Sequence, residues 1–306
     1  SSPGPAEPVR VAVIGLGDIA RKAYLPVLAA LPDVQLHLVT RNGGVLADLA
    51  GRYRPAAVST TVEQAIGDGV DAAFVHAATV AHPAIVGALL EAGIPTFVDK
   101  PLTDSYPTSA ALVGQAERSG VSLMVGFNRR YAPAHLEAHA MASRDLVIYQ
   151  KHRPRMAPEL PRPMVFDDFI HVADTLRFFA PGPVTTESIS SGGEDGALEW
   201  VSLLLAGEGF SCFGSMHRGS GAAEEALEVV GGGRKTKVID LGDVVEFDGS
   251  ERLRRRPGWA GAPETRGFTA MCARFLDAVR EGEVLSAADA LETHSLCERI
   301  VTAVSH

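Results

Sequence analysis

The stretch PTFVDKPLTDS, Pro95 to Ser105, carries an apolar run into Asp99-Lys100-Pro101 and then turns polar. A lysine placed there can bind a substrate hydroxyl or carbonyl and stabilise negative charge as it develops on that oxygen. Pro101 restricts Lys100 to extended backbone and so aims it reproducibly. A second candidate is FDDFIHVADTLRFF. Asp167 and His171 are four residues apart and share a face if the segment is helical. The histidine would then exchange a proton with a substrate hydroxyl while the carboxylate orients the ring. Asp174 is an alternative orienter. Asp167 or Asp168 also suits a helix N-cap, with His171 a core histidine satisfied by that cap.

The elements that must position these groups follow two rhythms. As far as about Gly126, apolar strands at 9–14, 34–39, 72–76, 96–98 and 122–125 alternate with helices, among them 46–52, 81–92 and 109–119. Continuous apolar strands interleaved with amphipathic helices mean a parallel sheet covered on both faces. Lys100 follows the strand 96–98, at the carboxyl end where open α/β sheets bind ligands. Further on come a helix at 133–142, a strand at 146–150, a Pro-rich loop at 153–163 and a helix at 168–179. Period-two alternation from 183 to 247, broken by glycine clusters, reads as antiparallel hairpins, and helices at 268–280 and 287–304 close the chain. The expected fold is α/β: a disordered leader (1–8), a doubly wound Rossmann domain (9–127) and an α+β domain with a largely antiparallel sheet (128–306).

The totals narrow the function classes. A net charge of −9 over 306 residues argues against a nucleic-acid surface. Cys212, Cys272 and Cys297 are odd in number and far apart, a reducing-compartment pattern. No apolar run approaches the ~18–20 residues of a membrane span. A cytoplasmic protein without nucleic-acid, membrane or metal partners is expected.

The turn Gly15-Leu16-Gly17-Asp18-Ile19-Ala20 follows the first strand and opens a helix. Gly15 permits the tight turn, Gly17 lets backbone approach a pyrophosphate, and Ala20 allows close helix–strand packing. This spacing expects a dinucleotide. Thr40-Arg41-Asn42 ends the second strand without the acid that usually holds the ribose hydroxyls of NAD. Arg41 and small polar neighbours favour NADP over NAD, unless Arg41 is a solvated loop residue. Basic pairs stand at Arg129-Arg130, at Lys151 and Arg153 around His152, and at His217-Arg218. If alternate members face a pocket, an acidic or phosphorylated substrate fits; the alternative is ordinary solvated strand ends. Arg252 to Arg256 reads as an exposed loop, and Trp259 as a pocket lid or an oligomer contact.

The strings VIGLGDIARKAYLPVL, FVHAATVAHP, FVDKPLTD, LMVGFNRRYAP, DDFIHVADT and PGWAGAPETRGF span nearly the whole chain. Together they resemble the Gfo/Idh/MocA oxidoreductases, and within them the MviM-type branch. The resemblance implies a Rossmann domain followed by an open-faced sheet that lines the substrate pocket and makes the contacts of a homodimer or homotetramer. It carries the family's E-K-P motif onto Asp99-Lys100-Pro101 and its D-x-x-x-H pair onto Asp167 and His171. Lys100 then holds the substrate oxygen, His171 is the acid/base and Asp167 its partner. Ala77, Ala78, His82, Asp99, Lys100 and Asn128 would join the glycine turn and Thr40, Arg41 and Asn42 at the cofactor; Arg129, Lys151 and Arg153 would meet substrate. Asp99 in place of Glu is one methylene shorter, so what it contacts must lie closer. Phe169 stands where the commoner form has Gly. The implied reaction moves hydride between NADP or NAD and a sugar-like or cyclitol-like alcohol or ketone. Two rivals are a hydrolase of the same fold that retains its dinucleotide and a non-catalytic dinucleotide-binding regulator.

Overall fold

The computed structural model describes residues 7–305, so most of the expected leader lies outside the described residues. The chain forms two compact units, one ending at Gly126 and taking in Phe268–Leu291, the other comprising Phe127–Gly267 and the residues from Glu292 on.

The first unit holds six parallel strands: β1 (Val9–Ile14), β2 (Val34–Val39), β3 (Ala57–Ser59), β4 (Ala72–Val75), β5 (Thr96–Asp99) and β6 (Leu123–Gly126). Their order across the sheet is β3-β2-β1-β4-β5-β6, the doubly wound arrangement expected, with its switch point between β1 and β4. Val11, Ala12, Val13, Phe74 and Phe97 are fully buried, as strands covered on both faces must be. Strand β3 and the helix Val62–Gly67 had no counterpart in the sequence reading, because a three-residue, half-exposed strand has no period to detect. Gly15 follows β1 at φ +87°, and a Cβ there would lie 2.5 Å from the Ala77 nitrogen. Only glycine lets the loops after β1 and β4 approach so closely.

A second domain running unbroken from 128 to 306 does not hold. The helix Phe268–Glu281 packs into the first unit, where Phe275 meets Phe74 edge-on at 5.1 Å and Phe268 meets Tyr24 at 5.3 Å. Its apolar stripe is plain in the sequence, but a stripe does not name the core that it covers.

The second unit is built on eight strands: β7 (Leu146–His152), β8 (Thr186–Glu194), β9 (Ala197–Gly207), β10 (Phe210–His217), β11 (Glu224–Gly231), β12 (Arg234–Ile239), β13 (Asp243–Phe247) and β14 (Glu251–Arg254). Their order is β14-β13-β12-β11-β7-β10-β9-β8, antiparallel except where β10 lies parallel to β7. Pleating sorts β7 into two sets: Val147, Tyr149 and Lys151 are buried, while Leu146 is exposed and Ile148, Gln150 and His152 are half-buried. The helix Ile170–Phe179 covers the buried side, so closely that a Cβ on Gly214 would lie 2.4 Å from Val172. The expected helix start at 168 is instead a π-helical turn, Val165–Phe169, which places Asp167 and Asp168 in the wider turn and His171 in the α-helix. The four-residue spacing of Asp167 and His171 therefore runs from the wider turn into the first turn of the α-helix.

Candidate active site

In the first unit a cleft of about 460 Å³ opens at the carboxyl ends of β1, β2 and β4. Gly15, Thr40, Arg41, Ala77 and Ala78 line it, five of the residues expected at a dinucleotide. Thr61 and Glu63 line it too; no motif marks them, because they follow the undetected β3. The cleft's size and its glycine-floored entry fit a dinucleotide. Asn42 does other work: its side-chain oxygen caps the helix Gly43–Tyr53 by accepting from the amides of Gly44 and Val45, both at 3.1 Å. Beyond Gly17, Asp18 is exposed beside Lys22 at 3.0 Å, Ile19 is also exposed, and Ala20 is buried at the start of the π-helical turn Ala20–Tyr24.

Strand β5 ends at the same edge, and its end is fixed from both sides. One Asp99 oxygen accepts from the Tyr24 hydroxyl at 2.7 Å; the other meets His76 Nδ1 at 2.7 Å. The shorter acid thus engages two buried side chains of its own unit. His82 is likewise buried, with Nε2 2.9 Å from the Ala77 carbonyl and Nδ1 3.0 Å from the carbonyls of Pro101 and Leu102. It ties the loop after β4 to the segment that follows the half-buried Lys100 rather than lining the cleft. The Lys100–Pro101 peptide is cis.

In the second unit, Lys151 and Arg153 point to the covered side of the sheet and share one carboxylate. Asp168 accepts from Lys151 Nζ at 2.6 Å and from Arg153 at 3.0 and 3.2 Å. Burial lowers Lys151 to about 8, against the upward pull of Asp168. Burial would raise Asp168, but Arg153 and Lys151 outweigh it and hold the acid at about 2. Asp168 is thus a buried ion-pair partner, not a cap. Asp174 is excluded as orienter, since it accepts two hydrogen bonds from Arg130, both at 2.8 Å, and one from Thr293.

Arg129, expected at substrate, is 5% exposed and is engaged through Nε and Nη1. Its Nε donates to Glu225 at 2.5 Å and to the Tyr149 hydroxyl at 3.0 Å, and its Nη1 donates to His171 Nδ1 at 2.9 Å. Glu225 also accepts from the Tyr149 hydroxyl. Burial pushes Glu225 up, yet the Arg129 charge and these hydrogen bonds bring it down to about 2. Asn128, expected at the cofactor, is buried with its amide donating to the Arg266 carbonyl at 2.8 Å. Tyr149 lay within reach of the sequence, since it shares the period-two set of Lys151. Glu225 did not, because nothing in the chain order says that β11 pairs with β7.

Two family models match the chain: "Oxidoreductase family, NAD-binding Rossmann fold" over residues 9–127 and "YceM-like, C-terminal domain" over 131–248. The YceM protein of Salmonella typhimurium is 31% identical over 303 residues, covering 97% of each chain. A solved Gfo/Idh/MocA family oxidoreductase from Vibrio cholerae is 32% identical with a TM-score of 0.90, covering 97% of this chain and 100% of its own. A myo-inositol dehydrogenase, Hyg17 of Streptomyces leeuwenhoekii, is 42% identical over 136 residues, 44% of this chain and 42% of its own.

Proposed function

The chain belongs to the Gfo/Idh/MocA family of NAD(P)-dependent oxidoreductases, and on that premise we propose that it interconverts a sugar-like or cyclitol-like alcohol and the corresponding ketone. The observation that carries this reading lies in the first unit. The dinucleotide cleft and the strand end bearing Lys100 share the carboxyl edge of one sheet. The bound dinucleotide would supply or accept the hydride; by the family's pattern Lys100 would hold the reacting oxygen and His171 would act as acid/base with Asp167 as its partner, and the protein's share is alignment and electrostatics. The part-length match to a myo-inositol dehydrogenase supports a polyol of that kind.

Two finer points belong to the same proposal. Arg41, with no acid at the end of β2, favours NADP, while Glu63 brings an acid into the same cleft, so each dinucleotide must be supplied separately. Lys151 and Arg153 share one acid, and the Arg153 side chain is 44% exposed, which suits a carboxylate or phosphate on the substrate. The half-buried side of the second sheet, with Ile148, Leu204 and the 40%-exposed Phe213 adjacent in register, suits a homo-oligomer contact.

The test is a panel of neutral sugars, uronic acids, sugar phosphates and cyclitols, with NAD or NADP, followed by the absorbance of reduced nicotinamide. Wild type is run beside His171→Ala and Lys100→Met. Turnover that collapses in both variants is expected. A silent panel with tight dinucleotide binding would sink the reading in favour of a retained-cofactor hydrolase or a regulator.

A further inference from the structure

The charges on the covered side of the second sheet pair off, except for one. Lys151 on β7 stands directly opposite Glu225 on β11. Glu225 serves Arg129, while Asp168 serves Lys151 and Arg153. Arg266 reaches this cluster from the segment Thr265–Gly267, which passes between two others. On one side the Arg266 carbonyl accepts from the Asn128 amide at 2.8 Å, and a Cβ on Gly267 would collide with the Asn128 carbonyl. On the other, a Cβ on Gly242 would lie 3.1 Å from the Thr265 methyl. Two residues before Gly242, the Asp240 carboxylate accepts from the Glu225 amide at 3.3 Å. Burial and the Arg129 charge lower the Arg266 pKa, against the opposing pull of Glu225, Tyr149 and Asp240. Among the described residues the half-buried Arg266 side chain makes no hydrogen bond and no ion pair. Its five N–H donors are thus partly desolvated without a protein acceptor, beside cations that all have one.

From this arrangement we infer that Arg266 selects the substrate, its guanidinium fork receiving a carboxylate carried by the sugar-like molecule. The inference rests on the oxidoreductase reading and narrows it to a uronic-acid-like substrate. A carboxylate matches the planar fork with two parallel N–H···O bonds. A phosphate would bring further negative charge, and the neighbouring cations are committed: Arg129 donates to Glu225, and Lys151 and Arg153 donate to Asp168. Lys151 and Arg153 therefore add to the positive field around the site, while Arg266 holds the anion.

Two measurements on the full chain test this. Phenylglyoxal labelling of wild type, read by peptide mass mapping, shows whether Arg266 is unengaged and what shields it, without any turnover. Expected is labelling of Arg266 that glucuronate or galacturonate slows by about threefold or more, while glucose and galactose do not. An unlabelled Arg266, shielding by inorganic phosphate as strong as by the uronates, equal shielding by the neutral sugars, or no shielding by any probe would each overturn the inference. In the substrate assay each uronate is paired with its parent aldose. The ratio of kcat/KM, acid over parent, is expected to fall by about tenfold to a hundredfold in Arg266→Met. Arg266→Lys, which keeps the charge without the fork, should retain part of the preference. Equal loss on both members of a pair would make Arg266 a structural residue and sink its selecting role. Should wild type turn over nothing, the oxidoreductase reading fails, and the labelling alone still upholds or overturns the carboxylate site.

Discussion

Lys151 and Asp168 show how a strand-end lysine and an apparent helix cap become something else once buried together. With Lys151 lowered from 10.5 to about 8, the folded chain binds fewer protons than the unfolded chain between those two values. Stability therefore rises with pH across that window as far as this group is concerned. Asp168 has the opposite history: held at about 2 against an ordinary 3.8, its contribution is full above 3.8 and is lost as pH falls through about 2. Denaturant titrations between about pH 8 and 10 should show unfolding free energy climbing more steeply in wild type than in Lys151→Met. Equal slopes would mean that Lys151 titrates as an ordinary solvated lysine. Comparing the two proteins cancels Tyr24 and Tyr149, which burial pushes upward in both.

At the scale of elements, the helix Phe268–Glu281 is the clearest case of a segment whose local pattern was legible and whose partner was not. Its residues Phe268, Met271, Cys272, Phe275 and Leu276 are buried, and Phe275 is fully so, edge-on to Phe74 and Phe97. Truncating such a ring leaves a cavity that close-packed neighbours refill only partly. Phe275→Ala should cost about 3–5 kcal/mol of unfolding free energy, measured by denaturant titration. A cost near zero would detach this helix from the Rossmann core. The π-helical turn Val165–Phe169 is the converse case. Its sequence, VFDDF, carries no signal separating a π turn from an α turn, and that turn governs where Asp167, Asp168 and His171 stand.

For the molecule as a whole, the half-buried side of the second sheet is where the proposal of self-association can be tested. Phe213 sits between Leu204 and Ile148 in register, with Glu228 and Lys237 continuing the row across β11 and β12. An apolar centre with a charged margin is the usual composition of a contact between subunits. Phe213→Lys should shift the species seen by light scattering behind size-exclusion chromatography toward monomer while leaving the thermal transition of each chain in place. An unchanged mass would remove this face as the contact.

The sequence alone determined the parallel sheet, the glycine turn, the strand-end lysine and the antiparallel second half. These are local facts: a period of two, an apolar run, or a backbone position that only glycine tolerates. Tertiary structure decided which charges meet. Asp99 with Tyr24 and His76, Asp168 with Lys151, and Glu225 with Arg129 join residues 17 to 96 positions apart. Such pairings depend on which strands become neighbours, and the energy that selects them is spread over the packing of the entire sheet. The surroundings of His171 belong to this second kind. Its place in the chain marks it as a candidate, and its contact with a buried arginine 42 residues away could come only from the fold.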